Sequence, residues 1–365
     1  MAEDKPKPAE LFAGLLDWYD RQRRDLPWRA PPGAAADPYR VLVSEFMLQQ
    51  TTAATVRRRF PAFVARFPDL PTLAQAPLDD VLHAWQGLGY YRRARALHAC
   101  AQALVSEHDG ALPDDDDALR RLPGVGPYTA AALRAIVHGV GPVPVDGNVE
   151  RVLIRLFAID APRAEAGRAA RDRAQALAPT HRTGDVAQAL MELGATVCRP
   201  RGPACSLCPW LAVCSARRLG LTDALPRPAE RAERPLRRGV AFVLQRRDGA
   251  VLFRQRPPHG LLAGLHDLPS SDWVEGALDL DEAVRAAPMA ADWRLVPGRV
   301  RHVFTHFALE LTVLRAVTDT PPLGIWCRPD ELGRLALPTV AVKVLRHAGL
   351  ATAAVAETRR PARSG

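Results

Sequence analysis

In the first part of the chain, apolar residues recur every three or four positions, which is the period of an amphipathic helix. One such helix is predicted within residues 9–24, where the spacing is carried by Leu11, Phe12, Leu15, Leu16 and Tyr19. The same pattern predicts further helices over 115–121, 164–178 and 187–194. Asp37-Pro38 is a helix start signal, and the run that follows, 41–48, is apolar nearly all round. The spacing therefore predicts a largely helical N-terminal region.

The pattern changes towards the C-terminus. G-V-A-F-V-L-Q-R-R (239–247) and G-A-V-L-F-R-Q-R (249–256) predict a β-hairpin turning at Asp248-Gly249. Residues 301–317 predict further strands, and 338–349 predict a closing helix. The stretch 221–236 is rich in proline and charge and is expected to be a linker. The C-terminal part is therefore expected to be a separate α+β domain.

Two glycines interrupt the helical region at L-P-G-V-G-P-Y-T-A (122–130). We expect a hairpin between two helices, in which Gly124 and Gly126 permit positive φ and close approach. A loop of this kind that leads into a helix N-terminus turns backbone N–H groups outward and suits a phosphate oxygen. Further on, V-P-V-D-G-N-V (143–149) places Asp146 where a helix could begin. Asp146 is either a functional carboxylate or simply an N-cap.

A second carboxylate, Glu45, lies inside the apolar run. It is either paired with a buried partner such as an arginine, or kept partly protonated by desolvation. W-Q-G-L-G-Y-Y-R-R-A-R-A-L (85–97) combines tyrosines and arginines around two glycines. Such a turn suits stacking on bases and neutralising phosphates, and a helix-capping turn with packed tyrosines is the alternative.

The cysteines provide the strongest local signal. Four of the six follow the spacing C-x6-C-x2-C-x5-C, namely Cys198, Cys205, Cys208 and Cys214. Four crowded thiolates bind either zinc or an iron–sulfur cluster, and because only 205 and 208 form a close pair, the spacing favours a cluster. Residues 198–238 hold nine arginines against three acids. This local excess fits contact with phosphates.

The overall composition says less about function than these motifs do. The 365-residue chain is long enough for two or three domains. No apolar run approaches the roughly 20 residues that span a bilayer, so no membrane association and a cytoplasmic location are expected. The net charge of +9 favours a polyanionic partner. The chain is rich in arginine, alanine and proline, however, a bias that GC-rich coding alone would produce.

Together these motifs identify a resemblance to the MutY family of adenine DNA glycosylases, within the endonuclease III-like helix–hairpin–helix superfamily. It rests on S-E-F-M-L-Q-Q-T, G-L-G-Y-Y, L-P-G-V-G-P-Y-T-A, V-D-G-N-V and the four cysteines, in family order. The resemblance implies a multidomain protein: an all-α helix–hairpin–helix glycosylase fold with an iron–sulfur lobe, and a C-terminal α+β Nudix-like domain. The implied boundaries are 9–215 for the helical region, 216–236 for a linker and 237–350 for the mispair-recognition domain. Within the helical region, the barrel covers about 29–135, and the N-terminal helix and 136–215 form the cluster-bearing lobe.

The implied activity is base-excision repair by a monofunctional glycosylase, a monomer acting on double-stranded DNA in a bacterial, nucleoid-associated setting. Adenine mispaired with 8-oxoguanine or guanine is flipped out, and its N-glycosidic bond is hydrolysed through an oxocarbenium-like transition state. Glu45 would be the general acid, and Asp146 would stabilise the oxocarbenium ion by electrostatics or by transient covalent attack. A 4Fe–4S cluster would be held by Cys198, Cys205, Cys208 and Cys214.

The resemblance also implies roles for further residues. Tyr128 corresponds to an active-site tyrosine and Asn148 to an orienting amide. The residues expected to contact DNA are Gln50, Thr51, Leu88, Tyr90, Gly124 and Gly126. The adenine pocket would be bordered by Arg24, Leu26, Trp28, Gln188 and Met191, although core packing is the better interpretation of Leu26 and Met191. The loop after Trp28, rich in proline, glycine and alanine, is longer than usual.

In the C-terminal domain, Phe304, Thr305 and His306 occupy the positions where the family reads the oxidised guanine with Phe-Ser-His. Threonine keeps the hydroxyl of serine and adds a methyl group.

Three alternatives compete with this interpretation. An endonuclease III-type glycosylase/lyase needs an amine at the hairpin position held here by Tyr128. A nucleotide pyrophosphatase acting through the C-terminal domain would need a helix of clustered glutamates for Mg²⁺, and no R-E-x-x-E-E pattern follows Gly264. A non-catalytic iron–sulfur DNA-binding protein would not depend on Glu45.

Overall fold

The computed structural model describes residues 8–177, 179–228, 234–257, 260–304 and 306–350. Their contacts divide them into two compact units. The helical unit comprises 8–76 and 96–228, and the sheet unit comprises 77–95 and 234–350. The sequence-based domain limits stay a prediction. No helix in the described part of the chain has the length and apolar content required to cross a membrane.

Helices make up the first part of the chain. In chain order they are α1 (Pro8–Gln22), α2 (Pro38–Leu48), α3 (Ala53–Arg66), α4 (Leu70–Gln75), α5 (Leu78–Ala84), α6 (Arg92–Glu107), α7 (Asp116–Arg121), α8 (Pro127–Leu133), α9 (Gly147–Leu156), α10 (Arg163–Ala176), α11 (Thr183–Thr196) and α12 (Ser215–Arg218). The predicted helices are confirmed, and the one predicted at 187–194 is part of the longer α11. A π-helical turn, Arg134–His138, continues α8 directly.

The start of α2 follows from its first two residues. The Asp37 side chain accepts hydrogen bonds from the backbone N–H groups of Tyr39 and Arg40, and Pro38 occupies the first helical position. Asp37 thus satisfies donors that a helix N-terminus otherwise leaves unpaired, and proline there loses no hydrogen bond.

The hairpin between α7 and α8 depends on one of its two glycines. Gly124 has φ +77°, and a Cβ there would lie 2.6 Å from Ala96 Cβ and 2.7 Å from Phe46 Cε1. The expectation of positive φ is therefore confirmed for Gly124. It is wrong for Gly126, which has φ −94° as the residue before α8, with open space where a Cβ would be.

A core formed by α1, α9, α10 and α11 supports the cysteine-containing segment. Trp210, from that segment, is buried and donates from its indole nitrogen to the Leu11 carbonyl at 2.9 Å. Arg155 of α9 is only 1% exposed, and its guanidinium binds the carbonyl oxygens of Arg199, Pro200 and Leu225. One buried arginine therefore fixes the backbone directly after the first cysteine and again beyond the last one.

The loop after Trp28 is anchored to the first turn of α11. The Gly33 N–H donates to the Asp185 carboxylate at 3.0 Å. Arg182 binds the same carboxylate at 2.7 Å and reaches Asp20 of α1 with two further hydrogen bonds. Arg182 itself has φ +50°, a conformation that these contacts hold in place.

The sheet unit is built on a mixed sheet. Its strands are β1 (Leu236–Arg246), β2 (Val251–Gln255), β3 (His266–Asp267), β4 (Val274–Glu275), β5 (Arg294–Val303), β6 (Ala308–Thr318) and β7 (Ile325–Cys327), and its helices, besides α5 and the start of α6, are α13 (Leu280–Val284) and α14 (Thr339–His347). The strand order is β3-β2-β1-β6-β5, with β1 and β6 parallel, β4 beside β1 and β7 beside β2. The predicted hairpin is confirmed: Gln245 pairs with Val251, and Gly249 takes φ +86° in the turn.

Replacing each hairpin glycine by alanine tests this account. Gly124→Ala should lower the free energy of unfolding by about 2 kcal/mol or more, because the new Cβ meets Ala96 and Phe46 in an unfavourable backbone conformation. Gly126→Ala should cost less than about 1 kcal/mol, since its backbone and surroundings accept a Cβ. Denaturant titration of both variants measures the difference, and equal losses would contradict it.

Candidate active site

Glu45 lies on α2 and is 5% exposed. Its neighbours on the helix are buried on every side, since all residues from Val41 to Met47 are buried. Burial, together with the nearby Asp146 carboxylate, raises the pKa of Glu45 to about 7, although a hydrogen bond from Tyr128 acts in the opposite direction. No arginine is among the groups that shift this pKa in the described part of the chain. Glu45 is thus a buried acid that holds its proton near neutral pH.

Asp146 is the N-cap of α9. Its carboxylate accepts from the backbone N–H groups of Asn148, at 2.9 Å, and Val149, at 2.7 Å, and from the Asn148 side-chain amide at 2.9 Å. Three donors at a helix N-terminus suit a negative charge. The N-cap interpretation of Asp146 is therefore confirmed. The capping carboxylate also lies within electrostatic range of Glu45, and its functional role stays a prediction.

Tyr128, in the first turn of α8, lies beside both acids. Burial, Glu45 and Asp146 raise its pKa well above the usual value, so the phenol stays neutral. Its hydroxyl lies 3.8 Å from Met191 Sδ and also interacts with Glu45. A single O–H donates once, and a carboxylate is a far stronger acceptor than a thioether. Tyr128 is therefore positioned to donate to Glu45, with Met191 packed against it.

A chain of hydrogen bonds holds Asn148 in place. Arg151, one turn further along α9, donates to Asn148 Oδ1 at 2.9 Å, to the Gly194 carbonyl at 2.8 Å and to the Cys198 carbonyl at 2.8 Å. A Cβ on Gly194 would lie 2.6 Å from Asn148 Cβ. The start of α9 is therefore fixed by direct contact with α11 and by a link to the first cysteine. Sequence reasoning did not identify Arg151.

The predicted pocket residue Arg24 is engaged by a buried acid that the sequence did not reveal. Glu192 on α11 is fully buried and binds Arg24 at 2.6 and 3.0 Å and Arg29 at 2.9 Å. Burial by itself raises the pKa of Glu192, but the two guanidinium groups outweigh it and leave the pKa lowered. Arg24 and Glu192 are 168 positions apart, and no local pattern predicts such a pair.

The remaining predicted pocket residues are mostly packed. Leu26 and Trp28 are buried, and the Trp28 ring meets Phe60 edge-on with 5.5 Å between centroids. Met191 is half-buried against the core of α1 and α9–α11, as the packing interpretation predicted. Gln188 is half-buried and donates to the Gly184 carbonyl at 3.3 Å.

The two turns predicted to contact DNA both contain a non-glycine residue with positive φ. In the helical unit, Gln50 is exposed with φ +56°, and Thr51 follows it half-buried. In the sheet unit, Tyr90 has φ +47° and is 47% exposed, and the Arg93 guanidinium lies over its ring at 5.6 Å. Leu88 is buried. Each turn therefore presents one exposed side chain, Gln50 or Tyr90. Residues with strained backbone conformations of this kind are often found at functional sites.

The predicted Phe-Thr-His reading site lies in the turn between β5 and β6. His306 is exposed, and Thr305 lies outside the described residues. Phe304 stacks on Trp273 with 5.8 Å between ring centroids, and the His302 ring meets it at 4.6 Å. Trp273, which sequence reasoning missed, therefore fixes the ring that would meet a base.

The four cysteines lie together. Burial raises the pKa of the Cys208 thiol to about 12; the backbone N–H of Trp210 opposes the shift, and the other three thiols add to it. The Arg155 guanidinium lies 3.4 Å from Cys198 Sγ. Among the described residues, no three His, Cys, Asp or Glu side chains form a group that could hold a single metal ion. A cluster of four irons takes thiolates in a wider arrangement than one ion does, so the donor set fits such a group.

Comparisons with known proteins agree with this geometry. Residues 43–175 match the HhH-GPD superfamily of base excision DNA repair proteins, and residues 240–347 match the NUDIX domain. The structure of a thermostable thymine-DNA glycosylase aligns with a TM-score of 0.52 and 28% identity, over 58% of this chain and 97% of that chain. The expected fold class is confirmed, and fold and site define a helix–hairpin–helix protein of the base-excision type.

Similarity to curated relatives identifies the family within this class of helix–hairpin–helix proteins. Human (Homo sapiens) adenine DNA glycosylase is 36% identical over 398 residues, covering 91% of this chain and 72% of that protein. The adenine DNA glycosylase of Mycobacterium tuberculosis is 45% identical over 234 residues, covering 63% of this chain and 72% of that protein. The chain belongs to the adenine DNA glycosylase family.

The raised pKa of Glu45 predicts a pH-dependent stability. The folded protein holds this proton up to about pH 7 and the unfolded chain only to about 4.5. The stability that depends on the proton is therefore complete below pH 4.5 and lost as the pH rises through 7, at a cost of up to roughly 3 kcal/mol. Glu45→Gln should match the parent in unfolding free energy at low pH and exceed it at alkaline pH. Denaturant titrations across this pH range measure it, with the exposed Glu10→Gln as control; a pH-independent difference between Glu45→Gln and parent would contradict the assignment.

Proposed function

We propose that this chain removes adenine mispaired with 8-oxoguanine or guanine from double-stranded DNA, by hydrolysis of the N-glycosidic bond. The observation that carries the proposal is the pair of acids in different states. Glu45 is buried and protonated near neutral pH, whereas Asp146 accepts three hydrogen bonds at a helix N-terminus. Two carboxyl groups whose surroundings separate their protonation are the signature of acid-assisted glycosidic cleavage.

The proposed reaction assigns one role to each acid. Glu45 donates its proton to a ring nitrogen of the flipped-out adenine, so that the base leaves neutral as the bond to the anomeric carbon breaks. The ionised Asp146 stabilises the positive charge that develops on the sugar. Water then adds to the anomeric carbon, and a proton returns to a carboxylate. The products are adenine and an abasic site.

The neighbouring groups support these roles. Tyr128, neutral and positioned to donate to Glu45, orients the acid and stabilises the carboxylate that remains once the proton has been transferred. Asn148 fixes one oxygen of Asp146, and Arg151 fixes Asn148. Leu26 and Trp28 would supply apolar surface beside an adenine, and Gln188 and Met191 would border it from α11. Arg24 would act through its pair with Glu192.

DNA would be held by several separate contacts. The hairpin with Gly124 and Gly126 presents backbone N–H groups to a phosphate. Gln50 and Tyr90 would insert into the duplex beside the mispair, flanked by Thr51 and Leu88. Phe304, Thr305 and His306 would read the base opposite the adenine.

The cysteines would hold a 4Fe–4S cluster through Cys198, Cys205, Cys208 and Cys214. When bound, such a cluster supplies a rigid cross-link between four points of the loop. The chain's own contribution is Arg155, which binds one carbonyl just after Cys198 and another beyond the loop, and Arg151, which joins the loop's first residue to the start of α9.

The lyase alternative is disfavoured by the site. Schiff-base chemistry needs an amine near the anomeric carbon. The hairpin position carries Tyr128, and Lys343, the one lysine among the described residues, belongs to α14 and donates to the Arg301 carbonyl.

Adenine release tests the two roles directly. With an A·8-oxoguanine duplex under single turnover, Glu45→Gln and Asp146→Asn should each lower the rate about 100-fold or more, because one loses the proton and the other the charge. The parent rate should fall as the pH rises through about 7, following the Glu45 proton, and the Glu45→Gln rate should not. Glu165→Gln, an exposed carboxylate on α10, is the matched control. Full activity in either variant would remove the basis of the proposal.

Mispair preference tests the second domain. His306→Ala should reduce the preference for A·8-oxoguanine over A·G by about tenfold, since one polar contact to the opposite base is lost. The rate on A·G should stay close to the parent's. The exposed His181→Ala serves as control. A variant that loses activity equally on both duplexes would count against a reading role.

A further inference from the structure

The helix α3 is unusual in its charge. From Phe46 to Pro68 the sequence contains four arginines and no aspartate or glutamate. The whole chain has 40 acids in 365 residues, or about one in nine, so a stretch of this length without any is a departure from its composition. Three of the arginines are consecutive, Arg57 to Arg59.

The burial pattern separates an inner and an outer face of α3. Val56, Phe60 and Phe63 are buried. The exposed positions follow helical spacing and are Ala54, Arg57, Arg58, Pro61, Ala62, Ala65 and Arg66. Except for the arginines, this outer face carries only alanine and proline. Short side chains let a long, stiff partner approach the helix backbone closely while the arginines reach past them.

Some other exposed arginines of the helical unit are neutralised by an acid. Arg21 binds Asp17 at 2.6 Å, and Arg227 binds the Asp160 carboxylate with two hydrogen bonds. In the described part of the chain, Arg57 and Arg58 form no such ion pair. Two adjacent, uncompensated charges on one face repel each other and favour an anionic partner.

The position of α3 indicates which anionic partner the arginines would bind. The helix begins directly after the Gln50–Thr51 turn, with Thr52 as its N-cap. At 1.5 Å per residue, Arg58 lies roughly 8 Å along the axis from the helix start. One DNA strand carries a phosphate about every 3.4 Å of helix axis, so this span along α3 corresponds to roughly two phosphates.

We propose that Arg57 and Arg58 bind backbone phosphates of the duplex that flanks the mispair, independently of base sequence. This inference rests on the proposed function only in placing the Gln50–Thr51 turn against DNA. The contact would strengthen binding to undamaged as well as damaged duplex, and would leave base removal itself unchanged.

The test is the salt dependence of binding to an undamaged duplex, measured by fluorescence anisotropy with the full chain. Each phosphate contact adds about 0.9 to the slope of log K against log salt, so Arg57→Ala/Arg58→Ala should lower its magnitude by about 1.8. The double variant Arg21→Ala/Arg227→Ala, which removes the same charge from ion-paired positions, should leave the slope unchanged. Arg57→Lys/Arg58→Lys should restore most of it. Single-turnover adenine release at saturating enzyme should stay within about twofold of the parent, since neither arginine touches the site.

An unchanged slope in Arg57→Ala/Arg58→Ala would overturn the inference. An equal decrease of the slope in Arg21→Ala/Arg227→Ala would also overturn it, because the effect would then come from net charge alone. Binding to undamaged duplex does not require base removal. If Arg57→Ala/Arg58→Ala lowers the slope but the parent chain releases no adenine, the phosphate contact stands and the proposed function is rejected. If the slope is unchanged but the parent chain releases adenine, the proposed function stands and the phosphate contact is rejected.

Discussion

Burying the Glu45 carboxyl group beside Asp146 opposes folding, and much of the helical unit serves to hold the two acids together. The apolar surroundings of α2 supply the desolvation, and the N-terminus of α9 supplies the donors that keep Asp146 in place. Tyr128 joins the two from α8. Each contribution comes from a different helix, so the site exists only when these helices pack correctly.

A second buried acid in the same unit shows how differently the chain can treat a carboxyl group. Glu192 is as deeply buried as Glu45, yet two arginines bind it and keep it charged. A buried charge with two guanidinium partners has its lone pairs satisfied and its geometry fixed. Glu45 has a phenol instead, which satisfies one oxygen without supplying a positive charge. That difference in partners, together with the Asp146 carboxylate beside Glu45, leaves the pKa of Glu192 lowered and the pKa of Glu45 raised.

Local signals predicted much of this architecture. Asp37-Pro38, the Gly124 turn, the Asp146 cap and the Gly249 hairpin each follow from a few adjacent residues, and all appear in the structure. The parallel pairing of β1 with β6, the Arg24–Glu192 pair and the stacking of Trp273 on Phe304 join distant segments. Such contacts are decided by packing, which no periodicity encodes. The π-helical turn at Arg134–His138 has the same origin: a Cβ on Gly184 would lie 2.9 Å from the Ala135 carbonyl oxygen, so α11 passes against the backbone there.

The hydrogen bond from Gly33 to Asp185 has a consequence for how this chain tolerates changes in length. It pins the middle of the loop after Trp28, so any residues added between Gly33 and the cap of α2 enlarge only a short, surface-exposed segment. Doubling the length of such a segment costs about 0.6 kcal/mol of closure entropy. Because the hydrogen bond to Asp185 holds Gly33 in place, a longer segment after Gly33 does not move the part of the loop between Trp28 and Gly33. Insertions and deletions can therefore accumulate at 34–36 while the part of the loop between Trp28 and Gly33 keeps its position.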